Sequence, residues 1–349
     1  MASPLVSIVI NNFNYARYLS QSIDSALSQT HPFTEVVVVD DASADESRSV
    51  IRRYGERIIP ILLDQNGGQG AAMNAGFRAS RGEIVIFLDS DDYLYPRAAE
   101  QVLSAWTPGI SKVQYRLHLV DRKGGEIDFF PAPEIRFDSG DVVPLLLAAG
   151  RYETTVTSGN AFSRDALEKI LPIPQDEFRL AADGYLVTLV PFFGPVVSLE
   201  EPLGAYRQHG ENAWAHGSNG LSGRLRHALL HDAHRYGALR ETARKLGLEL
   251  AASPGLRDHS HLATRISSLC LEPQHHPHAG DSRLALALLG ALSSRRARLP
   301  WKRRAILAAW FLATGILPRS AAAKIAAWRT VPASRPLAGV FKAVRRMAR

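Results

Sequence analysis

The 349-residue chain has a single cysteine, Cys270, so no internal disulfide can brace it, which fits a reducing compartment. It has no run of twenty apolar residues, which excludes an ordinary membrane-spanning helix. No internal repeat is present, which excludes a solenoid or propeller. No basic segment precedes the apolar stretch of MASPLVSIVI, which reads as a first strand and not a secretory signal. Two phosphate-binding signatures are also missing. No G-x-G-x-x-G follows the first strand, and there is no G-x-x-x-x-G-K-[ST] loop. A glycine-rich stretch, NGGQGAAMNAG (66–76), follows the third strand but carries no lysine. Acid is absent from one end. Arg295 to Arg349 hold fourteen Lys and Arg and no Asp or Glu, so the other 27 of the 41 basic residues sit among 34 acidic ones. A slightly acidic body therefore carries a basic tail, which calls for an anionic surface or nucleic acid.

What is present is an alternation of strands and helices. VSIVI (6–10), EVVVVD (35–40), RIIPILL (57–63) and EIVIFLD (83–89) read as strands. EVVVVD is apolar on both faces, as in a parallel sheet covered by helices. YLSQSIDSALSQ (18–29), SADESRSVIRRYG (43–55) and a segment from about 69 to 79 read as helices. The rhythm predicts an α/β fold with a Rossmann-like, doubly wound, mostly parallel sheet. After residue 110, KVQYRLHLVDRKGGEIDFF predicts a hairpin. TSGNAF (157–162) reads as a loop, DGYLVTLVPFFG as a helix broken at Pro191, and VVSLEEPLGAYRQHG as two short strands. From about 220 the chain reads as helices.

Three strands end in polar residues: Asn11-Asn12-Phe13-Asn14, Asp40-Asp41-Ala42-Ser43 and Asp89-Ser90-Asp91-Asp92. Any one of them suits a turn or a helix cap. All three at the carboxyl edge of one open sheet suit a ligand site. Asp89, Asp91 and Asp92 would repel one another, which a hard divalent cation, magnesium or manganese, would relieve.

The run VSIVINNFNYARYLSQSIDSALSQTHPFTEVVVVDDASADES, followed by NGGQGAAMNAGFRASRGEIVIFLDSDDYLYP, resembles a family 2 glycosyltransferase of GT-A fold, closely over residues 5–100 and more loosely to about 215. The resemblance implies an inverting, metal-dependent transferase that uses a nucleotide-diphospho-sugar donor and a saccharide or lipid-linked acceptor. Asp41 would bind the nucleobase, with Phe13 and Asn11 beside it. Asp89 and Asp91 match the D-x-D motif, with Asp91 on Mn2+ or Mg2+ and Asp89 toward the ribose or the metal's water shell. Asp92 serves there or caps the next helix. Asp183, the single acid of LAADGYLVTL, matches the catalytic-base position; an ordinary N-cap would explain it as well. Arg207 and His209, in Tyr-Arg-x-His-x-x-Asn, would contact the diphosphate, or His209 would join the metal shell, and TSGNAF would line the acceptor side or serve as a plain structural loop. Relatives often carry an Arg just before Asn74, where this chain has Met73 preceded by Ala72. A nucleotidyltransferase and a non-catalytic nucleotide-sugar-binding protein are the competing readings.

The implied organisation is a catalytic domain over 1–215, with a donor half to about 110 and an acceptor half over 111–215. A helical region follows over 216–349, with a basic amphipathic tail from about 295. In WKRRAILAAWFLATGILP, Trp301, Trp310 and the more distant Trp328 with flanking Arg and Lys suit an anionic membrane surface. Nucleic acid is not expected. The predicted place is the cytoplasm, peripheral on the inner face of the cell membrane. HHPH (275–278) lacks the spacing of a zinc site and reads as a surface loop.

Overall fold

The computed structural model describes residues 3–210 and 220–330. In chain order the elements are β1 (Val6–Asn12), α1 (Ala16–Leu27), β2 (Thr34–Asp40), α2 (Ser47–Arg52), β3 (Ile59–Leu62), α3 (Gln69–Ala79), β4 (Ile84–Asp89) and β5 (Tyr93–Leu94). Then come α4 (Ala98–Ser104), β6 (Lys112–Val120), β7 (Glu126–Phe130), α5 (Val143–Ala149), β8 (Asn160–Ser163), α6 (Arg164–Glu168), α7 (Asp183–Leu189) and β9 (Val196–Arg207). The strands form one sheet in the order β3-β2-β1-β4-β8-β6-β9-β5, with β7 on β6. β3, β2, β1 and β4 are mutually parallel, and β9 is parallel to β6. β8 joins the two groups antiparallel to both neighbours. This is the α/β, mostly parallel architecture expected.

Period-two alternation sorts the strand side chains into two cores. Ile8, Ile10, Val36, Val38, Ile84 and Ile86 pack with Leu19 and Ile23 of α1 and Val102 of α4. Val9, Val37, Val39, Val85 and Phe87 pack on the other face with Met73 of α3 and Leu186 of α7. Both faces of the parallel group are covered, which is why EVVVVD shows no polar alternation.

Two boundaries differ from the sequence reading. α2 is shorter than 43–55, because Ser43 and Asp45 serve neighbouring loops: Ser43 Oγ accepts from Asn14 N, and Asp45 accepts from the N–H groups of Ala16 and Ser47. VVSLEEPLGAYR is one strand, not two. Register shifts opposite Arg116 absorb the stretch around Pro202, which has no N–H to give.

The chain divides into two compact units, Met1–Trp214 with Gly237–Leu250, and Ala215–Tyr236 with Ala251–Arg349. The second is helical: the end of helix Gly220–Lys245 nearest Gly220, then His259–Leu271, Arg283–Ser294, Trp301–Ile316 and Arg319–Thr330. Its core is Leu262, Ile266, Leu286, Leu307 and Phe311. HHPH is not a plain surface loop. The His276 side chain is enclosed, within hydrogen-bond distance of Asp281 Oδ2 (2.9 Å) and Ser268 Oγ (3.0 Å). Among the described residues no helix is long and apolar enough to cross a membrane.

Candidate active site

The polar ends of β1, β2 and β4 lie level. Asn12 pairs across the ladder with Asp40, and Asn11 with Asp89. Asn11 Nδ2 donates to Asp89 Oδ1 at 2.7 Å, and Ser158 Oγ accepts from Asp89 N. Burial, then the charge of Asp91, pushes the Asp89 pKa up to about 7 against the Asn11 hydrogen bond.

The turn after β4 is held from β9. Arg207 N donates to Asp92 Oδ1 (2.8 Å), and Ser158 Oγ to Asp92 Oδ2 (2.6 Å). Asp92 therefore braces the turn and does not cap α4. Burial and the charges of Asp91 and Asp89 hold its carboxyl well above the usual carboxylate range. The Arg207 guanidinium donates to Asp91 O at 2.8 Å, Gln21 Oε1 at 2.6 Å and the carbonyls of Asp121 and Arg122, and lies over the Tyr18 ring. Those contacts lock the acidic turn in place. His209 Nε2 lies 2.9 Å from Asp91 Oδ2, and its ring packs against those of Tyr15 and Tyr18, which also touch each other. Asn212, the last residue of the matching segment, lies outside the described residues. TSGNAF is not a simple loop: Thr157–Gly159 forms a 3-10 turn whose Ser158 supports the acids, and the rest is β8.

Asp41 follows β2. Its two carboxylate oxygens accept from Gly67 N (2.8 Å) and Gly68 N (2.7 Å). Burial raises its pKa, while those donors and the charge of Arg179 oppose the rise. Gly68 has φ +82°, and a Cβ there would stand 2.3 Å from Arg179 O, so only glycine suits the turn. Phe13, at the end of β1, leaves 43% of its surface exposed, enough for a flat ring to stack on it. Among the described residues three non-glycine residues have left-handed backbones: Asn14 (φ 59°), Ala42 (57°) and Ala181 (55°). All three sit on the loops of this edge, each at a cost of about 1–2 kcal/mol.

Asp183 is the first residue of α7 and is not its N-cap; Ala182 holds that place with no side-chain capping bond. Gln69, at the start of α3, ties this loop to the acids. Its Nε2 donates to Asp89 Oδ1 at 2.9 Å, and its Oε1 accepts from Ala182 N at 2.9 Å. Sequence reasoning missed Gln69, because it sits among glycines and alanines with no charge to mark it. It also missed Lys112, which looked like an ordinary strand start. The Lys112 side chain is fully buried, with Nζ 2.8 Å from Thr154 Oγ1 and near the Tyr152 ring. Burial pushes its pKa well below that of a free amine, and the Asp183 carboxylate pulls the other way. Arg179, also missed, donates to Asn66 O and lies near Asp41. Ala72 is buried in α3, and Asn74 is bonded through both side-chain atoms to the backbone of Ile173. This part of α3 is a packing surface, so cationic charge on that side comes from Arg179.

The donor set suits a hard divalent cation. Asp91 and His209 offer an oxygen and an imidazole nitrogen 2.9 Å apart, and Asn11 Oδ1, buried beside Asp89, has no hydrogen-bond partner. Among the described residues no group of three His, Cys, Asp or Glu side chains converges.

Residues 7–127 match the family described as Glycosyl transferase family 2. An uncharacterized glycosyltransferase of Nostoc sp. is 38% identical over 213 residues, 59% of this chain and 66% of the relative. The putative teichuronic acid biosynthesis glycosyltransferase TuaG of Bacillus subtilis is 38% identical over 92 residues, 26% of this chain and 36% of its own. The matched part of the chain spans 66%, 43% and 32% of the length of three of the curated relatives it matches. Among solved structures, mannosyltransferase PcManGT from Pyrobaculum calidifontis, in complex with GDP-Man and Mn2+, superposes with TM-score 0.51 at 20% identity, covering 94% of this chain and 87% of that one. S. aureus TarS in complex with UDP-GlcNAc gives TM-score 0.51 at 15% identity, covering 93% and 91%. Identities this low speak to the fold, which is that of GT-A glycosyltransferases. Over residues 7–127 the chain belongs to glycosyltransferase family 2.

Proposed function

We propose that the protein is an inverting, metal-dependent transferase that moves a sugar from a nucleotide-diphospho-sugar to a hydroxyl acceptor in surface polysaccharide or glycolipid assembly. The observation that carries this reading is the Gln69 bridge, which links Asp89 of the D-x-D turn to the backbone of Ala182, next to Asp183. In it Asp41 accepts an N–H of the nucleobase, and Phe13 stacks on the base. Asn11 and Asp89 take the ribose side. Asp91 and His209 would hold Mn2+ or Mg2+, which when bound would supply charge stabilisation to the leaving group. Arg207 fixes the backbone of Asp91, which sets where that carboxylate points. Asp183 takes the proton of the acceptor hydroxyl as it attacks the anomeric carbon from the face opposite the leaving group.

TuaG is named for teichuronic acid biosynthesis, and the neighbours are held with UDP-GlcNAc or with GDP-Man and Mn2+, which supports a nucleotide-sugar donor, a divalent ion and a polysaccharide setting. The basic C-terminal segment fits a lipid-linked acceptor met at an anionic membrane surface, with the protein peripheral on the cytoplasmic face. The test is release of labelled sugar from a panel of nucleotide sugars, with and without manganese. Manganese-dependent release from one donor supports the reading. Binding of donors with no release on any acceptor supports a non-catalytic binding protein instead.

A further inference from the structure

In the helical unit, Arg283–Ser294 and Trp301–Ile316 pack as a tight pair. A Cβ on Gly290 would fall 2.2 Å from the Phe311 ring, and one on Gly315 2.4 Å from Ala287 Cβ. His259–Leu271 packs on the first helix and Arg319–Thr330 on the second, and those two also touch each other. They cover one side of the pair. The other side keeps a leucine stripe at helical spacing, Leu284, Leu288 and Leu292, each half or more exposed. On the facing helix, Trp301 (69% exposed), Leu312 and Ile316 are exposed and, by their spacing, share one face of that helix. Trp310 turns inward, donating to Ile325 O at 2.9 Å, so it is not the interfacial tryptophan its sequence context suggested.

Where the two helices meet at their linked ends, an open pocket of about 400 Å³ is lined by Arg295, Trp301, Arg304, Ala305 and Ala308. Arg304 Nη1 donates to Arg295 O at 3.1 Å, which sets its position at the mouth. Between Arg283 and Thr330 there are ten Lys and Arg and no Asp or Glu. Apolar residues on one face, an exposed indole and guanidinium groups from a stretch with no Asp or Glu of its own match a bilayer whose headgroups carry phosphate charge.

We propose that this outer face docks on a membrane containing anionic phospholipid. The phosphate of one lipid sits between Arg295 and Arg304, Trp301 lies at headgroup depth, and the leucine stripe enters the acyl boundary. The proposal rests on the membrane-surface reading above and names the face that does the binding. It assigns the contact to the helical pair and not to general tail charge.

Co-sedimentation of the full chain with phosphatidylcholine vesicles, with and without phosphatidylglycerol, tests it. Arg295→Gln with Arg304→Gln should weaken binding to the anionic vesicles about 30-fold, at roughly fivefold per charge near the surface. Arg319→Gln with Lys324→Gln removes equal charge elsewhere in the unit and should cost only a few-fold. Leu288→Ser with Leu292→Ser, both at exposed positions, should weaken binding while circular dichroism stays unchanged. Equal losses from the two charge pairs would overturn the headgroup pocket and leave the membrane reading standing. No effect of the leucine changes would overturn apolar insertion. Wild-type protein that binds both vesicles alike would overturn the membrane reading itself.

Discussion

Gln69 accepts a 2.9 Å hydrogen bond from the backbone N–H of Ala182, the residue before Asp183. The same side chain donates to Asp89, so one neutral amide sets the spacing between the D-x-D acids and the proposed base. Ala181 beside it has a left-handed backbone, which the loop keeps only while something holds it.

Gln69 is thus a positioning residue. Gln69→Ala should lower transfer at saturating substrate about 10- to 100-fold while donor affinity changes little. Gln69→Glu should do worse than Ala, because it puts a further carboxylate beside Asp89. Steady-state kinetics that split kcat from KM would check this; a loss confined to KM would make Gln69 a donor contact.

The acidic turn should report on the ion without any assay of transfer. Burial and the charge of Asp91 raise the Asp89 pKa, so a cation bound nearby should relieve repulsion present in the metal-free protein. Manganese with nucleoside diphosphate at about 100 times its Kd should stabilise the wild type by about 2.7 kcal/mol. In Asp91→Asn most of that gain should vanish, as read by the shift in melting temperature. An undiminished shift in the variant would remove Asp91 from the metal site.

The helical unit carries a pH signature of its own. Burial alone would raise the pKa of Asp232, but the His261 hydrogen bond (2.8 Å) and the Arg235 charge outweigh it and hold the carboxyl well below the usual range. A carboxyl depressed in the folded state stabilises above its unfolded value of about 3.9, and that stability is lost as pH falls through the folded value. Asp232→Asn should therefore cost about 1–3 kcal/mol at pH 7, with the difference from wild type shrinking below pH 4. Chemical denaturation at several pH values measures it. A difference constant with pH would mean that charge plays no part.

The parallel half of the sheet was legible because β1, β2 and β4 are apolar on both faces and end in Asn or Asp, a pattern few other structures need. The D-x-D turn was legible for the same reason, since three carboxylates crowd four positions. β9 was not read as one strand, because Pro202 looks like a break until the bulge opposite Arg116 is seen. Gln69, Lys112 and Arg179 carry no local signal. Their roles come from residues far away in sequence, and only the folded chain brings Lys112 to Thr154 or Arg179 to Asn66. The role of Arg207 was visible only as charge near a site, whereas the structure gives its donors to the backbone of the acidic turn.

The central claim is that Asp41 and Asp183 divide the work between donor recognition and proton removal. Calorimetry with the nucleoside diphosphate, paired with transfer rates at saturating donor, tests it on Asp41→Ala and Asp183→Asn. Asp41→Ala should weaken nucleotide binding. Asp183→Asn should bind the nucleotide as the wild type does and transfer about 10²- to 10⁴-fold more slowly, the mark of a group used in the transition state only. An Asp183→Asn protein that loses nucleotide binding yet turns over normally at saturation would contradict the account.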